Sequence, residues 1–101
     1  MTRVVWTRPA LDDVRQIRDY IAHDSPRYAR VVAARLISAV GRPRAHPLSG
    51  RMVPELGQQT LREVIEPPHR IVYRVRADVL EVITVVHSAQ QFPADQLHSL
   101  E

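Results

Sequence analysis

His69 and His87 bracket the stretch "HRIVYRVRADVLEVITVVH". Tyr73, Arg70, Arg74 and Arg76 lie between them, and Arg62 stands just upstream. These are the residue types that metal-free RNA cleavage requires: a base for the ribose 2′-hydroxyl, an acid for the leaving oxygen, and cations for the phosphorane charge. His69, His87 and Tyr73 can move protons, while Arg62, Arg70, Arg74 or Arg76 can carry the charge. Each also has a plainer use. Tyr73 shares its alternation with Ile71 and Val75, which is a core position. Arg74 has the opposite parity and can pair with Glu63 or Glu81 across a sheet. A histidine at a strand end, as His87 is expected to be, is more often packed or hydrogen-bonded than catalytic.

Other chemistries find less support. His23, His46, His69, His87 and His98 lack paired metal-ligand spacing, and no carboxylates cluster with them. Gly41, Gly50 and Gly57 are isolated, so no phosphate loop is expected, and no serine comes with a base and an orienting acid. Cysteine is absent, which removes disulfides and thiolate sites and suits a reducing cytoplasm. No metal and no cofactor is expected. All 14 basic residues are arginine, for a net charge of +3. The planar guanidinium suits phosphate or carboxylate, but so modest an excess does not by itself make a nucleic-acid binder. The N-terminus "MTRVVWTRP" has no signal-peptide pattern, and no run approaches the ~20 apolar residues of a membrane span.

The elements that must position these residues follow from periodicity. A chain of 101 residues fits one domain, and no internal boundary interrupts it. "TRVVWT" predicts a first strand. In "TRPALDDVRQIRDYIAHD", Leu11, Val14, Ile17 and Ile21 recur at helical spacing, with Thr7 as cap and Pro9 in the first turn. Asp12 and Asp13 complement the positive end of the helix dipole. Ser25 and Pro26 start a second helix striped by Ala29, Val32, Ala33, Leu36 and Val40, and Gly41 with Pro43 is expected to end it. A polar connector over 42–59 carries a short strand near "RMVPE". Three β-type segments follow, "TLREVIE", "RIVYRVRA" and "VLEVITVVH". The second alternates as a half-buried strand, a tight turn at "RAD" joins it to the third, and the third is apolar on both parities as a central strand would be. The fold class expected is α+β: an N-terminal strand, an antiparallel two-helix hairpin, then a mostly antiparallel sheet of three to four strands with both helices on one face. Residues 93–101 read as a flexible tail.

In this order the residues resemble the RelE/ParE superfamily of toxin–antitoxin toxins over nearly the whole chain. "WTRPALDDVRQIRDYIAHDSPRYARVVAARLISAV" is similar to the family's strand and helical hairpin. "HPLSGRMVPELGQQTLREVIEPPHRIVYRV" carries Gly50-Arg51, Arg62-Glu63 and Tyr73-Arg74 at the expected places. "LEVITVVHSAQQFP" is similar to the closing strand and tail, with His87, Gln90 and Pro93 in register. The resemblance implies a small toxin neutralised by a cognate antitoxin. It admits two targets, since ParE-like members poison DNA gyrase without cutting and RelE-like members cleave mRNA on the ribosome. The long hairpin, and a tail "SAQQFPADQLHSLE" without arginine or tyrosine, favour the ParE branch. On that reading Arg62, Arg70, Arg74, Arg76, His87, Gln90, Gln91 and Phe92 are binding residues. On the ribonuclease reading Arg62, His69, Tyr73 and His87 are catalytic. Thr84 stands where arginine is common and Ser88 where glycine is common. A third reading is therefore an inactive toxin-fold protein that binds only its antitoxin.

Overall fold

A computed structural model describes residues 2–98. Strand β1 (Arg3–Trp6) leads into helix α1 (Arg8–Ala22), where the Thr7 hydroxyl accepts from the Ala10 N–H at 3.4 Å and Pro9 lies in the first turn. Helix α2 (Pro26–Ser38) starts on the same device, the Ser25 hydroxyl accepting from the Tyr28 N–H at 3.1 Å. Proline's preset φ and the cap oxygen together satisfy donors that a helix start would leave unpaired. The chain does not leave α2 through a left-handed glycine. Ala39 and Val40 keep right-handed helical geometry, and a short helix α3 (Gly41–Ala45) follows at once. Pro43 sits in its first turn, where a missing N–H costs nothing.

Strands β2 (Arg51–Met52), β3 (Leu61–Glu66), β4 (His69–Arg76) and β5 (Val79–His87) complete a five-stranded sheet in the order β1-β5-β4-β3-β2. Only β1 runs parallel to its neighbour, pairing with β5, and the other pairs are antiparallel. Beneath α1 and α2 lies the main core, where Ala10, Val14, Leu36 and Val40 meet Ile71, Tyr73, Leu80, Val82 and Val85. Leu11, expected on that stripe, is instead 38% exposed. Capping at Thr7 phases the helix so that Ala10, Val14 and Ile17 point at the sheet, and Leu11 lies about 100° away.

The opposite face carries a second cluster of Val53, Val72, Ile83 and Leu97, flanked by Leu56 and Phe92. Strand β4 is therefore covered on both faces in its middle, where alternation predicted a half-buried strand. Of the expected tail, residues 99–101 lie outside the described residues. Residues Ala94–His98 form helix α4, and buried Leu97 anchors it against that second cluster. Apolar burial offsets the ordering entropy that would otherwise leave the segment loose.

One irregularity ties helix to sheet. The β4–β5 register pairs Val72 with Thr84 but Tyr73 with Val82, leaving Ile83 as a bulge. The Thr7 hydroxyl donates to the Val82 carbonyl at 2.7 Å. On the other side Asp13 Oδ2 accepts from the Thr84 hydroxyl at 2.6 Å and the Val85 N–H at 2.9 Å. Thr7 and Asp13 thus tie the start of α1 to polar groups of β5 on either side of the bulge.

Candidate functional site

Three titratable side chains end adjacent strands in one row: Glu66 on β3, His69 on β4 and His87 on β5. The two imidazoles meet edge to face with centroids 5.5 Å apart. His69 is buried, and burial first, then the neighbouring His87, pull its pKa below the usual histidine value against the opposing pull of Glu66. His87 is exposed. Its Nδ1 accepts from the Ala89 N–H at 3.0 Å, so in the neutral ring Nε2 carries the proton. Its own backbone N–H donates to Gln90 Oε1 at 3.2 Å, which folds the start of the tail back on the strand end. A cleft of about 450 Å³ opens between this row and the helical hairpin, walled by Ile17, Tyr20, Tyr28, Pro67 and both histidines. Arg35 lines it too, as do Asp13 and Glu66.

Tyr73 and Arg62 do not reach that row. Tyr73 is fully buried, its hydroxyl donating to the Pro47 carbonyl at 2.8 Å and accepting from the Gly50 N–H at 3.0 Å. Burial holds its pKa above the usual tyrosine value, so it is a poor base. Arg62 donates to the Gly50 carbonyl at 3.3 Å and to the Gln59 backbone and side-chain oxygens at 2.9 and 2.7 Å. Gly50 has no room for a side chain: a Cβ would collide with the Tyr73 hydroxyl and lie 2.7 Å from the Glu63 carbonyl. Tyr73 is four residues from His69 along one strand, about 13 Å at strand rise. The candidate acid–base set is split between two ends of the sheet.

Four further sheet arginines, Arg51, Arg70, Arg74 and Arg76, are held by carboxylates. Glu63, whose side chain is fully buried, is clamped by Arg51 on one side and Arg70 on the other. Arg70 also binds Glu55 at 2.7 Å and stacks its guanidinium over the Phe92 ring at 4.5 Å. That pairing holds the Glu55 pKa down at about 2 and pushes that of Arg70 up, Glu55 being the larger cause and Glu63 the smaller. Arg74 binds Glu81 at 2.6 Å, and Arg76, 68% exposed, reaches the same oxygen at 3.8 Å. Gln90 and Gln91 are exposed, and Phe92 is half-buried under Arg70.

Two residues with structural consequences were not among the candidates. Asp13, read only as a dipole complement, lies three residues after Ala10 and four before Ile17, which is the inward stripe of α1. That spacing was the available signal. Thr84 is its partner through the bulge, and nothing local in the sequence announces a bulge. Among the described residues no cluster of three or more His, Cys, Asp or Glu is placed to hold a metal ion, and no helix is long and apolar enough to cross a membrane.

The paired motifs of the sequence thus converge on Gly50, with Tyr73 and Arg62 bonded to it and Arg51 bonded to Glu63 beside it. Among proteins of known kind, the chain is 40% identical over 91 residues to "Toxin RelE2" of Caulobacter vibrioides, covering 89% of this chain and 99% of that one. It is 39% identical over 92 residues to "Putative toxin Y4kP" of Sinorhizobium fredii, covering 90% and 93%. Its fold matches a chain of the solved "Chromosomal ParDE TA system from P. aeruginosa" with a TM-score of 0.72 at 21% identity, over 86% of this chain and 96% of that one. Residues 4–92 match the model of the family described as ParE toxin of type II toxin-antitoxin system, parDE, and this chain belongs to that family.

Proposed function

We propose that this toxin acts by binding rather than cutting: it engages DNA gyrase on DNA in the cytoplasm and is held inactive by a cognate antitoxin. One observation carries the reading. The Tyr73 hydroxyl and the Arg62 guanidinium are spent on the Gly50 loop, about 13 Å along the sheet from the histidines. A phosphorane at the His69–His87 pair would find Arg35, but with Asp13 and Glu66 in the same wall. That balance of charge stabilises a dianionic transition state poorly. The strand end and the turn after it supply contact groups instead, with His87, Gln90 and Gln91 exposed there, and Arg76 is exposed at the opposite end of β4. Arg62 is tied to the Gly50 loop, Arg70 to Glu55 and Glu63 over the Phe92 ring, and Arg74 to Glu81.

The test is direct. Purified protein added to gyrase and supercoiled plasmid should accumulate cleaved DNA in complex with the enzyme, and should leave mRNA on translating ribosomes intact. Codon-aligned mRNA cleavage that disappears in His87→Ala overturns the reading. A second reading, ribosome-dependent mRNA cleavage, draws on the His69–His87 contact and on the name of the Caulobacter relative. Neutralisation has its own check: co-expression with the adjoining reading frame should give a complex that survives purification.

A further inference from the structure

Between Ser25 and Pro54 the sequence holds six arginines and no aspartate or glutamate. The whole chain nets +3, so this stretch carries +6 and the remainder −3. The structure leaves most of that charge exposed on two consecutive helices. Arg27, Arg30 and Arg35 are exposed on α2, and Arg42 follows, exposed, on α3. At about 100° per residue Arg27 points directly away from buried Leu36, with Arg30 about 60° to one side and Arg35 about 80° to the other. Arg27 and Arg35 are about 12 Å apart along the helix axis. Among the described residues, none of these four meets a carboxylate. The helix is acid-free, and Arg27 and Arg30 face away from the cleft, while Arg35 flanks the cleft that Asp13 and Glu66 also line.

We propose that this outer face of α2 and α3 binds the phosphate backbone of duplex DNA. A row of exposed arginines outside any ion pair is the footprint of backbone contact, which is electrostatic and independent of sequence. Ala34 and Ser38 lie within about 20° of Arg27 on the helical wheel and let a backbone approach there, with Val31 exposed about 40° to one side. Single-stranded nucleic acid would need stacking platforms, and Tyr28, on the cleft side, is the one aromatic residue in α2 or α3. An acidic amphipathic protein segment would need an apolar seam. The exposed aliphatics Val31 and Ile37 stand about 120° apart and make none. The choice of DNA over double-stranded RNA rests on the gyrase reading above, whereas the cation array does not.

Anisotropy of a labelled random duplex of about 24 base pairs, titrated with the full-length toxin across a salt series, tests the proposal. Binding should weaken with log salt at a slope of about −3 to −4. Arg27→Ala/Arg30→Ala/Arg35→Ala should reduce that slope by about 3, one for each phosphate that is no longer neutralised. Replacing the same three by lysine should restore it, since charge and not fork geometry is at work. Arg15→Ala/Arg18→Ala on α1, whose arginines face aspartates, should leave it unchanged. No saturable binding at low salt overturns the proposal, as does an unchanged slope in the triple alanine variant. Duplex RNA bound tenfold or more tightly than DNA also overturns it. So does an alanine variant that keeps DNA but loses its antitoxin, which would assign the face to an acidic protein. Because gyrase is absent from this assay, its failure and a failure of the gyrase reading are told apart.

Discussion

The arginines of the sheet and those of helix α2 are the same residue in opposite circumstances. On the sheet, Arg51, Arg70, Arg74 and Arg76 each reach a glutamate, and Glu63 between two of them is fully buried. On the helix, Arg27, Arg30 and Arg35 stand exposed with no acid within α2. A buried carboxylate cannot be left without cations, because desolvation outweighs any solvent it retains, so the sheet arginines are tied to the fold. Exposed arginines cost the fold almost nothing and keep their full charge for a partner. Residue type alone therefore does not mark a binding cation. What marks it is the absence of a neighbour that needs it.

That contrast can be broken in order of size. Arg51→Ala/Arg70→Ala should be the most damaging change, about 3–5 kcal/mol in urea or thermal unfolding, because it leaves the fully buried Glu63 carboxylate with neither of its cations. Leu36→Ala, fully buried in the helix–sheet core, should cost about 2–5 kcal/mol. A loss under half that would mean the helix face collapses readily onto the gap. Tyr73→Phe should cost about 1–3 kcal/mol, since it leaves the Gly50 N–H and the Pro47 carbonyl unpaired under the connector. At the small end, alanine at Arg27, Arg30 or Arg35 should move stability by no more than about 0.5 kcal/mol each. A larger loss would give those arginines a structural role and erase the contrast.

Acid should weaken the fold in two steps. His69 has a folded pKa below the ordinary 6.5, so the unfolded chain takes its proton first, and stability falls as pH drops below that value. Glu55 is held at about 2 against an ordinary 4.5. Its contribution is complete above 4.5 and disappears as pH falls toward 2. Thermal midpoints followed down the pH scale should lose the upper step in His69→Phe and the lower one in Arg70→Met.

The elements were largely legible in the sequence because each has a local cause. Thr7 and Ser25 mark helix starts through oxygens that cap N–H groups, and the apolar β5 segment announces a strand covered on both faces. Other features depend on contacts between distant residues. The outward turn of Leu11 follows from helix phase against the sheet. The order of Ala94–His98 follows from Leu97 meeting Val53, Val72 and Ile83. The candidate site was legible as residue types but not as a place. Alternation puts His69 and Tyr73 on one face, and only the register with β5 shows His69 meeting His87 while Tyr73 meets the Gly50 loop.

We propose that this toxin stops growth by binding and cuts no RNA. The most direct measurement is pulse labelling of DNA and protein synthesis in bacteria in the first minutes after its induction without antitoxin. The account predicts that thymidine incorporation falls first, with induction of the DNA-damage response, while methionine incorporation continues. Early loss of methionine incorporation with replication still running would contradict it.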